Sequence, residues 1–357
     1  MRRHAALIGT TILAVVIAAI SLSALGRGRS PADDGPVEDE QAALTRLPEP
    51  QLALIEERVG RGRSTTVVLH PGTGIGAFTI VLERDEGAVV SRASGFQVYP
   101  VRDVPVWIAK LGVPNTIPGG RYTLRAVVEY EPDTVELEKP IEVEQVEYRS
   151  MEIALDTELT ALRRDPDPER TRQAREMMAL LSSYRLEGLY YEGSLLIPVE
   201  YRRRSAGYGD RRVYRYHDGT RATTVHAGVD LAAPAGEPVY AAGGGRVSFS
   251  DDRIISGKSV VIEHLPGVYS VYYHLDEIAV EEGQIVRAGR QIGTVGATGL
   301  ATGPHLHWEL RVGGVPVDPD QFVGAPLVDK VAIFSTIMEI LNAPKEIGGS
   351  DSNQERG

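Results

Sequence analysis

The chain of 357 residues contains no cysteine. That absence excludes disulfides, thiolate metal sites, cysteine nucleophiles and a lipid-modified N-terminal cysteine together. It also lacks a surplus of positive charge. The formal net charge is −11, whereas a general nucleic-acid binder needs clustered basic surface. Three motifs that would name a chemistry are missing too. There is no helical His-Glu-x-x-His and no Gly-x-Ser-x-Gly elbow, and Gly257-Lys258-Ser259 fails as a phosphate loop because residue 252 is Asp and a strand pattern follows. No repeat of fixed period occurs. Histidine is scarce, with eight residues in all, yet five of them fall between 226 and 307.

What is present is an ordinary globular composition, 42% hydrophobic and 24% charged, on a chain long enough for two or three domains. The basic leader Met1-Arg2-Arg3-His4 precedes an uncharged stretch from Ala5 to Gly26. This is a targeting segment (1–26), of a length that fits either a cleaved signal peptide or a membrane anchor. An acidic, proline-containing linker follows (27–49), so the mature part is expected to be exported, in the periplasm or cell envelope.

Residues 50–156 read as short strands (TTVVLH, AFTIVLE, GAVVSR, VPVWIAKL, YTLRAVVEY and KPIEVEQVEYR) separated by Gly, Pro or Asp. The spacing predicts a β-sandwich-like domain. Pro71 to Gly76 is glycine-rich but has neither the spacing nor the following helix of a phosphate loop, and reads as a turn. Residues 157–190 form a linking helical region. Asp167 is its N-cap, Pro168 its first helical residue, and Met177, Met178 and Leu181 are packing residues. From 191 to 325 the chain is again β-rich and dense in glycine, which predicts a compact antiparallel domain, so the fold class is mainly β. A C-terminal helix is expected at 326–342 and a disordered tail at 343–357. The cluster Arg202, Arg203, Arg204, Arg211, Arg212 and Arg215 is either a solvated face or an attractor for a carboxylate-bearing substrate.

The histidines carry the chemistry. His305 and His307 stand one residue apart in TGPHLHWEL, so on a strand both point the same way, as does Glu309. His226-Ala-Gly-Val-Asp230 supplies an imidazole and a carboxylate that a turn can bring to one cation. With His307 they make three N/O ligands, the number that catalytic zinc commonly takes while leaving one position open. His274 and His305 are then free to move a proton or to hold a developing oxyanion. Glu309 either orients a ligand or makes an ordinary strand contact. Tyr272, two residues from His274, is expected on the same face, with its hydroxyl as an oxyanion donor.

The segment from about Gly207 to Val323 resembles the lysostaphin-type zinc metallopeptidases, a family of cell-wall endopeptidases. The stretches that carry the resemblance are HAGVDLAAPAGEPVYAAGGGRV, SVVIEHLPGVYSVYYHL and GQIVRAGRQIGTVGATGLATGPHLHWEL. It implies one Zn2+ per chain on His226, Asp230 and His307, His274 and His305 at the catalytic positions, and His264 as a structural residue. The substrate implied is a peptidoglycan stem or bridge peptide, in a narrow groove that GGGRV and GATGLATGP suit. Membrane anchorage and envelope protein partners are compatible with it. A non-catalytic regulator of cell-wall amidases on the same fold is the alternative, but such relatives lose zinc ligands and none of the five positions is substituted. The latency that an upstream asparagine confers in some members is not expected, because the only upstream asparagine, Asn115, lies in the β domain.

Overall fold

The computed structural model describes residues 50–342 apart from 73, 85, 86 and 131. The expected leader, linker and tail lie outside the described residues. Among those described, no helix is long and apolar enough to cross a membrane.

The architecture is mainly β. In the upstream half, alternation decides the faces: Gly120–Glu129 and Ala77–Arg84 bury every second side chain along most of their length. One sheet runs in the order Gln51–Leu54, Ser64–His70, Trp107–Gly112, Phe96–Gln97. The other runs Arg58–Gly60, Thr134–Glu144, Gly120–Glu129, Ala77–Arg84, Ala88–Ser94. Val67, Leu69, Ala109 and Leu111 of the first sheet share a buried cluster with Phe78, Ile80, Leu82 and Leu124 of the second, which makes the pair a sandwich. The stretch from Pro71 to Gly76 connects Ser64–His70 of one sheet to Ala77–Arg84 of the other.

Strand Ser64–His70 is buried along its whole length, and the period of two explains why. Val67 and Leu69 face the sandwich core, while Val68 faces a second core that it shares with Val229, Leu310 and Phe322 of the downstream half. The C-terminal helix Lys330–Asn342, whose first turn is capped by Asp329, sets Ile333 and Ile337 into the same core. A polar clamp reinforces the junction: Gln321 accepts from the Ser64 amide at 2.9 Å and donates to the Ser64 carbonyl at 2.7 Å.

Lys110 is buried at this junction, 5% exposed, donating to Thr66 Oγ1 at 2.7 Å with its ammonium 5.0 Å from the Phe322 ring centre. Burial pushes its pKa down to about 8, against the opposing pull of Glu56 and Asp329. Between pH 8 and the ordinary lysine value the unfolded chain holds a proton that the folded chain has shed. Unfolding therefore takes up a proton, and stability rises with pH through that window by up to about 3 kcal/mol. Chemical denaturation at pH 7.5 and pH 10 should show this rise, and Lys110→Met should flatten it; an unchanged slope in the variant would refute the assignment.

The linking region holds two helices, Thr157–Arg164 and Pro168–Leu181. In the second, Asp167 caps as expected, accepting from the amides of Glu169 and Arg170, and Met177 and Leu181 are buried. Met178 corrects the sequence reading: it is 53% exposed, because one position past Met177 turns a helical side chain by about 100° away from the packed stripe.

Downstream, ten strands make one sheet. Its spine runs Arg203–Ala206, Val229–Ala232, Leu306–Val312, Val268–Ile278, Lys258–Leu265, Gly245–Asp251, Ile285–Val286. The pairings within it are antiparallel. A separate three-stranded sheet crosses between the halves: upstream Ser150–Ala154 pairs in parallel with Arg211–Arg215, which pairs with Arg221–Val225.

Candidate metal centre

The register places the three candidate ligands. Asp230 on Val229–Ala232 pairs directly with His307 on Leu306–Val312, and His226 follows the end of Arg221–Val225. One ligand atom from each of His226, Asp230 and His307 comes together, and all three residues are buried. His226 Nε2 lies 3.0 Å from His307 Nδ1 and 3.1 Å from Asp230 Oδ1, and His307 Nδ1 lies 2.8 Å from Asp230 Oδ1. Tetrahedral zinc with bonds near 2.1 Å sets its ligand atoms about 3.4 Å apart. The triad therefore fits after opening by a few tenths of an ångström.

Gly228 permits this convergence. A Cβ there would lie 2.2 Å from the Trp308 carbonyl oxygen, which belongs to the neighbouring ligand strand. Gly228→Ala is expected to push Asp230 away from His307, lowering stability by about 3 kcal/mol and zinc affinity by about tenfold. Thermal melts and competitive zinc titration measure both. A variant with unaltered zinc affinity would contradict the argument.

The fixed hydrogen bonds settle which nitrogen is available. Carbonyl oxygens only accept, so His226 Nδ1 must donate to Gly207 O (2.6 Å), leaving Nε2 without a proton toward the triad, where it accepts from Arg212 Nη2 at 2.8 Å. His307 donates from Nε2 to Glu309 Oε1 at 2.8 Å, and Arg311 in turn donates to Glu309 Oε2 at 2.6 Å. Glu309 is thus an orienting partner of His307. Burial opposes the charge on His307, but hydrogen bonds to Asp230 and Glu309 raise its pKa to about 9. Asp230 is held well below the carboxylate range: burial works against this, and the neighbouring imidazoles of His226 and His307 outweigh it.

His274 and His305 flank the triad. Their ring centroids are 4.8 Å apart, and His305 Nε2 is 3.8 Å from Asp230 Oδ1. Each donates from Nδ1 to a carbonyl, His274 to Thr298 and His305 to Gly303, both at 2.8 Å. Each therefore keeps a bare Nε2. Burial pushes His274 down to about 3 and lowers His305 as well, so both are neutral proton acceptors at neutral pH.

Tyr272 departs from expectation. Its hydroxyl accepts from the Ala242 amide at 2.8 Å and from Ser270 at 2.9 Å, and it is fully buried in the core. His274 has φ of 62° beside a bulge in strand Val268–Ile278. That left-handed residue breaks the alternation and turns His274 to the face of Tyr273, whose ring stacks on His307 at 5.5 Å. His264 is structural, bonded to Gly244 O and Ser270 Oγ at full burial. The sequence reading did not single out two residues beside the triad. Tyr273 is hidden by the lost alternation, and Arg212, one of six clustered arginines, is the member whose Nη2 lies on Asp230 and 2.8 Å from His226 Nε2.

Comparison with known proteins covers the same stretch of the chain. The profile of Peptidase family M23 matches residues 224–319, which contain all five histidine and aspartate positions. The DD-carboxypeptidase/endopeptidase Mpg of Neisseria meningitidis is 43% identical over 122 residues, 34% of this chain and 27% of that protein. The peptidoglycan DD-endopeptidase ShyB of Vibrio cholerae is 42% identical over 123 residues, 34% of this chain and 28% of that protein. The chain thus spans little more than a quarter of the length of these curated relatives. A crystal structure of a candidate M23 peptidase from Pseudomonas aeruginosa superposes with a TM-score of 0.51 at 27% identity, covering 73% of this chain and 94% of that one. That likeness extends past the matched segment into the upstream half. Residues 224–319 of this chain are a lysostaphin-type peptidase domain of family M23.

Proposed function

We propose that the chain is a zinc-dependent endopeptidase that hydrolyses peptide bonds in the stem or bridge peptides of peptidoglycan, and so works at the cell envelope. The observation that carries this reading is the convergence of three donor atoms, with two of the imidazole tautomers set by partners behind them. His226 through Nε2, Asp230 through Oδ1 and His307 through Nδ1 hold one ion per chain. Zinc bound there supplies Lewis acidity toward a peptide carbonyl and toward water. The bare Nε2 atoms of His274 and His305 take the proton from the attacking water and return it to the departing amine. In its protonated form, either imidazole also stabilises the negative charge that develops on the carbonyl oxygen. Glu309, braced by Arg311, keeps His307 in the ligating tautomer. The choice of peptidoglycan as substrate rests on the names and the shared peptidase segment of the curated relatives.

Purified full-length protein incubated with sacculi should release muropeptides shortened or uncoupled at a peptide bond, as read by mass spectrometry. A chelator should stop the release and added zinc restore it. Sacculi left intact by protein carrying stoichiometric zinc would overturn the reading.

A further inference from the structure

The clustered arginines do not share one fate. Arg204 pairs with Asp320 and Arg215 with Glu152, so both are committed to the fold. Arg212 is different: only 15% of its side chain is exposed, its Nη2 rests on Asp230, and its Nε is buried without a partner. A guanidinium presents five donors in a planar fork. One arm of this fork reaches the ligand carboxylate, and a second donor is withdrawn from water with nothing to receive it.

The space beside it is shaped for an acceptor. A groove of about 350 Å³ is lined by Arg212, Arg203, Asp230 and His305, with Met151 and Ile153 on another side. Arg203 is exposed and forms no ion pair among the described residues. Asp230 is the only carboxylate lining the groove, and it is already held by His226 and His307. Two arginines therefore face a groove whose own anion is engaged, in a chain that is acidic overall. The apolar side comes from Ser150–Ala154, which reaches the groove by its parallel pairing with Arg211–Arg215.

We propose that Arg212, supported by Arg203, binds a free carboxylate of the substrate within one residue of the scissile bond, and that Met151 and Ile153 contact the aliphatic side chain beside it. The proposal rests on the endopeptidase reading above and specifies what that site selects. A carboxylate accepts N–H bonds from the part of this fork that lines the groove. It makes the upstream strand part of the substrate site. The groove volume suits one or two small residues.

The test uses two probes that differ in one group, diacetyl-Lys-D-Ala-D-Ala and its C-terminal carboxamide. Each is titrated calorimetrically into the full-length, zinc-loaded chain carrying His274→Asn to slow turnover, and into the same chain with Arg212→Gln, Arg212→Lys or Arg203→Gln added. The acid is expected to bind at least about tenfold more tightly than the amide. Arg212→Gln should reduce that preference to about twofold or less, Arg212→Lys and Arg203→Gln should keep part of it, and zinc content should stay stoichiometric in all. Equal binding of acid and amide by the parent chain would overturn the proposal. So would an equal loss for both probes in Arg212→Gln, or a full preference retained by it. If Arg212→Gln does not fold, the Arg212→Lys and Arg203→Gln variants decide the question by the same comparison. Sacculus digestion by the wild-type chain is scored separately: acid preference without digestion sinks the endopeptidase reading and leaves the carboxylate site standing, whereas digestion without acid preference does the reverse.

Discussion

Replacing His307 by alanine is expected to remove zinc from the centre and to lower peptide hydrolysis by roughly 10³ to 10⁴-fold or more, the equivalent of several kcal/mol of lost transition-state stabilisation. His307 stands at the middle of the constellation. It lies 2.8 Å from Asp230 on one side and 2.8 Å from Glu309 on the other, with the Tyr273 ring stacked on it. Removing it deletes one of three donors and leaves the carboxylates of Asp230 and Glu309 facing a void. Glu309→Gln should be milder, about 10 to 100-fold in metal affinity, because only the orienting contact is lost. Because His307 stays protonated up to about pH 9 without metal, zinc must displace a proton to bind, and its affinity should fall as the pH is lowered. Metal analysis of the purified variants reads all of this, with His70→Ala as the control that keeps its zinc. Near-stoichiometric zinc in His307→Ala would remove the basis of the assignment.

The second large effect separates proton transfer from metal binding. His274→Asn and His305→Ala are each expected to retain zinc and fold while losing about 10² to 10⁴-fold in rate. Asparagine is the better choice at 274 because the backbone there has φ of 62°, a conformation that asparagine tolerates and alanine does not. The double variant should lose less than the product of the single losses, since both groups serve one transition state. His305 is separated from the proposed ligand His307 by one residue, so zinc must be measured on the same preparations to distinguish chemistry from strand distortion. Two single variants that hold zinc and digest sacculi at the wild-type rate would exclude the proposed roles of both imidazoles.

The centre was legible in the sequence where short-range periodicity governs. His305, His307 and Glu309 share a face because strand side chains alternate, and the turn at Ala227-Gly228 brings His226 and Asp230 to one point. The resemblance to a known family added the assignment of His274. The two halves of the fold were visible for the same reason, as apolar alternation punctuated by turn residues, and the capped helix at Pro168–Leu181 announced itself through Asp167 and Pro168. Tyr272 was misplaced because one left-handed residue at a bulge inverts every facing that the alternation assigns, and no side chain nearby signals it.

Other features depended on partners distant in the chain. Lys110 reads as a surface lysine until Phe322, more than two hundred residues away, covers it. The tautomers of His226 and His274 follow from the carbonyls of Gly207 and Thr298, 19 and 24 residues away, which loop packing brings within 2.6 and 2.8 Å. Arg212 was one of six equivalent arginines until the parallel pairing of Ser150–Ala154 with Arg211–Arg215 turned it toward Asp230. By itself the sequence determined the strands, the facing of their unbroken stretches and the candidate donor types, because those follow from neighbours one to four residues apart. The tertiary structure decided which donors meet, which nitrogen of each imidazole is bare and which arginine faces the groove, because each of these depends on a polar group finding its partner across the fold.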